Sequence, residues 1–412
     1  MKDSRLIAFE ILYEINKDSA YSNIAIDKAL NAYEIKDKAF ISSLVLGVIE
    51  RRITLDYLIK PYLSKKTKPK VMLILYIGAY QLYFMDKVPS SAAINTSVEL
   101  AGMTGVAYYK NLINAVLHNL DNNRIDIDAL EDLSVKYSVP QNLINFWSKM
   151  YGVDRCLEIL SVINSKAPVF AVPNRLFVDE EELSYELLNS GVECETDGEL
   201  VKLASTFDLK ALKPFKDGLF HIQDKSSYEC AKALEAKEGD TVLDVCSAPG
   251  GKTFTIAEEM MGKGSVYAFD IHEHRVKLIE QGAIRLGLNN IIARVNDAES
   301  FSDDIPKADG ILCDVPCSGF GIIRRKPEIR YKELDSIKEL PKLQLRILET
   351  SSKYLKEHSR IIYSTCTLNK RENENVVRAF LEKHKDFKLL KEKTSFPSES
   401  GGDGFYFAVL EN

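Results

Sequence analysis

Apolar residues recur at helical spacing from Leu6 to about His118: Leu6, Ile7, Phe9, Ile11, Leu12 and Ile15 in a first segment, then Ile41, Leu44, Val45 and Val48. Segments 71–85 and 91–101 keep that period, and no alternating strand pattern competes with it, so residues 1–125 are expected to form an all-α domain. The run 71–85 is the longest apolar stretch, but Gly78, Gln81 and three tyrosines interrupt it. It is too short and too polar to span a bilayer and reads as a buried core helix. Residues 126–225 open as a helical bridge, with Pro140 at a helix start, and change character at Ala167. Short strands are expected at 168–173 and 175–178, followed by a helix over 180–190 that Gly191 closes, which makes a small α/β domain.

From about 226 to 412 the pattern alternates strand, glycine loop and helix, with strands expected at 241–245, 265–269, 291–295, 310–313 and 360–363. Such alternation predicts an α/β Rossmann-like domain, a doubly wound and mostly parallel sheet whose functional residues sit at the strand C-termini.

Charge alters this picture only when it is divided. The chain carries 54 basic and 60 acidic residues, a net −6 that does not advertise nucleic acid. By segment it is +2 over 1–130, −7 over 131–230 and −1 over 231–412, so the acidity belongs to the middle. Lys60, Lys65, Lys66, Lys68 and Lys70 have no acid between them, and Arg324, Arg325, Lys326, Arg330 and Lys332 have only Glu328. Either cluster is a solvated face or a phosphate grip. Seven cysteines are scattered without any CxxC pair, which disfavours a disulfide framework or a zinc site, and no metal is expected. The start Met1-Lys2-Asp3-Ser4-Arg5 runs into an amphipathic helix without a signal-peptide core, so a reducing cytoplasm is expected, with no membrane and no required protein partner.

The candidate chemistry lies in the loops after the strands. Thr241-Val-Leu-Asp244-Val-Cys246-Ser-Ala-Pro249-Gly250-Gly251-Lys252-Thr253 takes a buried strand through Pro-Gly-Gly into a helix, leaving helix-start N–H groups free for a ligand. A phosphate-binding GxxxxGK[ST] loop would need glycine where Cys246 stands. The next strand ends at Asp270, 26 positions beyond Asp244, where a carboxylate takes ribose hydroxyls. The third ends near Asp297 and the fourth at Asp314. Four acids at successive strand ends, without GxGxxG, favour a nucleoside such as S-adenosylmethionine over NAD.

Cys317 and Cys366 each follow a buried strand in a polar loop, whereas Cys313 lies inside its strand and reads as a packed small hydrophobe. A thiol and a methyl donor together suit methylation of a pyrimidine at carbon 5. A thiolate adding at carbon 6 makes carbon 5 nucleophilic, an acid such as Asp314 steadies charge at ring nitrogen 3, and a second group aids release.

The loop from Asp244 to Thr253, Asp270-Ile-His-Glu-His-Arg275, Asp314-Val-Pro-Cys-Ser-Gly319 and Ser364-Thr-Cys-Thr367 resemble the signature loops of the RNA 5-methylcytosine methyltransferase family. Gly218-Leu-Phe-His-Ile-Gln223-Asp224 is similar to its segment before the catalytic sheet, and Asp403-Gly-Phe-Tyr-Phe407 to its closing strand. The helical N-terminal region resembles the RNA-binding antitermination factor NusB. The resemblance implies S-adenosylmethionine held by Cys246, Ser247, Ala248, Pro249, Gly250, Gly251, Lys252, Asp270, Asp297 and Asp314, with Arg275 as an accessory. It also implies that Cys366 attacks the base, Cys317 assists product release, and the substrate is small-subunit ribosomal RNA. DNA-modifying relatives use the Pro-Cys cysteine instead, which would nominate Cys317. Val172-Pro-Asn174 keeps only the asparagine of the family's Arg-Val-Asn stretch. The catalytic loops alone leave open transfer RNA as the substrate, or a non-catalytic RNA-binding factor.

Overall fold

The computed structural model describes residues 3–18, 22–32, 37–204 and 209–412. Met1 and Lys2, at the head of the expected first helix, lie outside them. The backbone forms two compact units, one of residues 1–164 with 323–332, the other of 165–322 with 333–412. This differs from division at 125 and 225, because helices Leu133–Tyr137, Gln141–Tyr151 and Val153–Val162 pack with the helical unit. Thr54 Oγ1 donates to Val135 O at 2.5 Å, and the Ile53 N–H to Ser138 Oγ at 3.0 Å.

In the helical unit, Pro69–Phe84 is buried around most of its circumference, as its long, mostly apolar run requires. Its buried glutamine is satisfied: Gln81 accepts from Arg5 Nε at 2.7 Å and donates to Ile77 O at 3.0 Å. No described helix is long and apolar enough to cross a membrane.

Segment 323–332 corrects the reading of the second basic cluster as one phosphate-gripping face. Arg330 is 1% exposed. Its Nη1 lies 2.8 Å from Glu50 O, 3.1 Å from Ser138 O and 3.0 Å from Asn164 Oδ1. Tyr331 donates to Ile49 O at 2.9 Å, and Glu328 accepts from the Ser22 hydroxyl at 2.8 Å. A guanidinium among helix-end carbonyls is a favoured placement for a cation.

The second unit holds two sheets. The smaller is antiparallel, in the order β2-β3-β1-β4, formed by β1 (Val169–Pro173), β2 (Cys194–Asp197), β3 (Leu200–Leu203) and β4 (Phe220–Ile222). Helix Glu180–Asn189 starts on a capping box between Asp179 and Glu182, as the sequence pattern implies. Residues 175–178, expected to be a strand, instead turn: Asn174 O accepts from the Phe177 and Val178 N–H groups, and Asn174 Oδ1 from Leu176 N. An asparagine that bonds the backbone just ahead of it favours a turn over an extended chain.

The larger sheet comprises β5 (Thr241–Asp244), β6 (Ser265–Asp270), β7 (Ile291–Val295), β8 (Ala308–Asp314), β9 (Leu355–Thr365), β10 (Lys388–Ser395) and β11 (Phe405–Glu411), ordered β10-β11-β9-β8-β5-β6-β7. The expected parallel sheet is present in β5 to β9, and β10 and β11 add antiparallel strands at one side. Strand order reverses between β5 and β8, so the crevice above their C-terminal ends is the place for a ligand.

Replacing Arg330 with alanine would leave several buried acceptors unpaired, so Arg330→Ala should lower stability by about 3 kcal/mol in urea unfolding of the full chain. A loss under about 0.5 kcal/mol would show these contacts to be incidental.

Candidate active site

The loop after β5 is pinned on both sides. Val245 N–H donates to Leu312 O of β8 at 3.0 Å, and Ser247 gives both its N–H and its hydroxyl to Phe269 O of β6, each at 2.8 Å. Gly250 caps helix Gly251–Glu259 with φ +114, and a Cβ there would stand 2.4 Å from the Phe254 ring. Only glycine suits that corner. Ala248 and Ser247 are buried and Pro249 is exposed. From beneath, Gln223 Oε1 accepts from Thr255 Oγ1 at 2.6 Å, tying the segment before the sheet to the same helix.

Three of the four strand-end acids, Asp244, Asp270 and Asp314, are held by side-chain partners where the loops leave the sheet. Asp244 ends β5 and is 1% exposed; its Oδ2 accepts from Thr253 Oγ1 at 2.7 Å, while Oδ1 is buried without a hydrogen-bond partner. Burial, aided by Asp314 and opposed by Thr253 and Lys252, pushes its carboxyl from the ordinary 3.8 up to about 7. Asp270 ends β6, bonded to the His272 N–H at 3.0 Å and ion-paired with Arg275 Nη1 at 3.0 Å. Arg275 Nη2 also donates to Ala248 O at 2.7 Å, so this residue braces the acid against the loop. Asp297 follows β7, is exposed and caps the Glu299 N–H at 3.0 Å, with none of these contacts to the other acids.

Asp314 ends β8, its Oδ1 accepting from Ser364 Oγ at 3.0 Å and its Oδ2 from Lys252 Nζ at 2.7 Å. The Lys252 ammonium, although burial opposes its charge, is held protonated by Asp314. It lies 5.0 Å from the centre of the Phe405 ring. Lys252 is expected as a cofactor-loop residue, and its charged end is turned to Asp314.

Cys317 and Cys366 come together, with their sulfurs 3.3 Å apart. The two thiols follow neighbouring strands, since Asp314 of β8 is in register with Ser364 of β9. The Cys317 thiol is pushed up, first by its hydrogen bond to Cys366 and then by burial. Cys313 is fully buried and raised to about 12 by that burial, in keeping with a packing role. Cys246 is also raised by burial, so it serves the loop by shape rather than as a thiolate. The sequence did not single out Gln344, Glu372 or Asn373, whose buried side chains hold the cysteine loops.

A model of the 16S rRNA methyltransferase RsmB/F family matches residues 231–411, and a model of the NusB family matches residues 2–122. The chain is 36% identical to the probable ribosomal RNA small subunit methyltransferase B of Bacillus subtilis, over 98% of each. The chain belongs to the ribosomal RNA small subunit methyltransferase B family. The corresponding protein of Synechocystis is 32% identical over 94% of this chain and 91% of its own length. Among solved structures, a methyltransferase homolog protein from Pyrococcus horikoshii aligns with a TM-score of 0.61 and 27% identity, covering 68% of this chain and 98% of its own. A crystal structure of PH0851 covers 100% of this chain and 99% of its own at a TM-score of 0.84 and 26% identity.

A ribosomal RNA methyltransferase of this family uses S-adenosylmethionine. The crevice suits that cofactor: a buried acceptor without a partner at Asp244, a strand-end carboxylate at Asp270 and open N–H groups at the helix start face a ligand that carries a cation and ribose hydroxyls. Among the described residues, no group of three His, Cys, Asp or Glu could hold a metal ion.

Because folding raises the Asp244 pKa, its stabilising contribution is full below the unfolded value of 3.8 and is lost as pH rises through about 7. Asp244→Asn cannot ionise and still accepts from Thr253. Melting without cofactor should therefore shift in the variant's favour between pH 5 and pH 8, and parallel pH profiles would contradict the buried-acid assignment.

Proposed function

We propose that this methyltransferase forms 5-methylcytosine at a specific cytosine of 16S ribosomal RNA through a covalent adduct between Cys366 and carbon 6. The observation that carries this reading is the pair of sulfurs 3.3 Å apart beside the Lys252–Asp314 ion pair. The Cys366 thiol gives up its proton and adds to carbon 6 as the thiolate, while the ring's double-bond electrons move toward nitrogen 3, which takes up a proton and leaves an enamine nucleophilic at carbon 5. Asp314, with the Lys252 ammonium on its Oδ2, supplies the polar contact at the nitrogen edge. Bound S-adenosylmethionine supplies the electrophilic methyl that carbon 5 takes. Removal of the carbon-5 proton then expels the Cys366 sulfur, and Cys317 assists this release.

In the same reading, Cys246, Ser247, Ala248, Pro249, Gly250, Gly251 and Lys252 hold the cofactor with Asp270, Asp297 and Asp314. The base must leave its stack to reach the thiol, so a flipped or single-stranded cytosine is the expected substrate form. Lys60, Lys65, Lys66 and Lys68 are exposed and suit an RNA backbone. A reducing cytoplasmic setting suits two working thiols.

Cys366→Ala should abolish tritiated methyl transfer to unmethylated ribosomal RNA, whereas Cys317→Ala should accumulate a protein–RNA adduct that survives denaturing gels; a normal rate for Cys366→Ala would sink the assignment. Bisulfite sequencing of ribosomal and transfer RNA with and without the protein identifies the target, and a changed cytosine in transfer RNA alone would redirect the substrate. Reversing Lys65 and Lys66 to glutamate should weaken RNA binding and flatten its salt dependence while cofactor affinity holds. Equal RNA affinity would return those lysines to the solvated surface.

A further inference from the structure

The residues on either side of each cysteine are tied down by buried side chains that no step above uses. Glu372, fully buried, lies at the centre. Its Oε2 accepts from the Ser318 N–H and from Gln344 Nε2, each at 2.9 Å, and its Oε1 accepts from Ser318 Oγ at 2.5 Å and from Asn369 Nδ2 at 2.6 Å. Gln344 Nε2 also donates to Pro316 O at 2.9 Å. Both neighbours of Cys317 are therefore gripped through one carboxyl group.

The neighbours of Cys366 join the same network. Ser318 Oγ lies 2.7 Å from Thr367 Oγ1, which also accepts from the Phe320 N–H at 3.1 Å. Asn373, next in sequence to Glu372, accepts from Thr365 Oγ1 at 2.6 Å and donates to Thr367 O at 2.9 Å. Gly321 N–H donates to Cys366 O at 3.1 Å, and a Cβ on Gly321 would stand 1.8 Å from Gly404 O. The backbones close to a distance that only glycine allows.

A carboxyl group enclosed by four donors is far more bonded than packing requires, and burying it without them would be costly. Its bonds converge on Ser318, one residue from a candidate catalytic sulfur. We propose that Glu372 is a positioning residue: by holding the Ser318 backbone and hydroxyl against the Thr365–Thr367 turn, it sets the separation of the Cys317 and Cys366 sulfurs. The catalytic consequence rests on the two-cysteine reading above, but the separation itself does not.

The full-length protein tests both parts. Diamide converts neighbouring thiols to a disulfide: each sulfur gives up its proton, and two electrons pass to the azo bond, which becomes a hydrazine. The rate at which Cys317 and Cys366 cross-link, followed by peptide mass spectrometry, therefore reads their approach without any methyl transfer. Glu372→Met fills the space but accepts no hydrogen bond, and it should slow cross-linking about tenfold or more. Glu372→Gln keeps one acceptor oxygen and should recover most of the rate. Cofactor affinity, measured by calorimetry, should hold in both variants.

Cross-linking of Glu372→Met at the normal rate, with cofactor binding intact, would overturn the proposal, because packing alone would then set the separation. Should that variant not bind cofactor, Ser318→Ala, which removes one of the four donors, is expected to give an intermediate rate, and an unchanged rate overturns the proposal equally. Under the two-cysteine reading, Glu372→Met also accumulates protein–RNA adduct, since release needs Cys317 in place. Slow cross-linking in a system where even Cys317→Ala forms no adduct would retain the positioning role and reject the covalent reading.

Discussion

The site depends on the register of the parallel strands. β5 and β8 pair with Asp244 opposite Leu312, and β8 and β9 with Asp314 opposite Ser364. The chains therefore leave the sheet at nearly one level, and the loops that follow open into one crevice. Side chains alternate faces along a strand, so a slip of one residue between β8 and β9 would turn Asp314 away from Ser364 and carry the two sulfurs apart. The fully buried runs Gly310 to Cys313 and Ile361 to Tyr363 resist such a slip through their packing on both faces of the sheet. Hydrophobic burial thus sets a polar geometry in which it takes no direct part.

Within that geometry charge is distributed by pairing. Lys252 keeps its proton because Asp314 is beside it, Asp244 leans toward its neutral form because burial dominates there, and the Cys317 thiol is pushed up by the second sulfur beside it and by burial. A crevice prepared for a cationic cofactor thus holds two ion pairs, Lys252–Asp314 and Arg275–Asp270, beside buried groups whose charged forms are disfavoured.

Much of this was legible in the chain. Acids after apolar runs marked four strand ends, and Cys317 and Cys366 just beyond two buried strands marked the loops that meet, because both patterns are local. What could not be read is made by distant partners. Lys252 looks like part of a glycine loop until Asp314 meets it from another strand. Glu372 sits amid Arg371, Asn373 and Glu374, a stretch that reads as a solvated helix start, yet it is fully buried. Arg330 belongs by composition to a basic run and by packing to a core. β10 was missed because it is an exposed strand of lysine and glutamate with little apolar alternation, and 175–178 because its apolar residues conceal the turn that Asn174 imposes.

The embedding of 323–332 in the helical unit bears on how the chain matures. Protein synthesis delivers residues in order, and N-terminal units ordinarily close first. Here the acceptors at Glu50, Ser138 and Asn164 await a guanidinium that leaves the translating machinery only after β5, β6, β7 and β8 have been made. The helical unit therefore reaches its finished form late, once most of the methyltransferase sheet exists. A fragment cut at residue 164 is an incomplete unit rather than a domain set free.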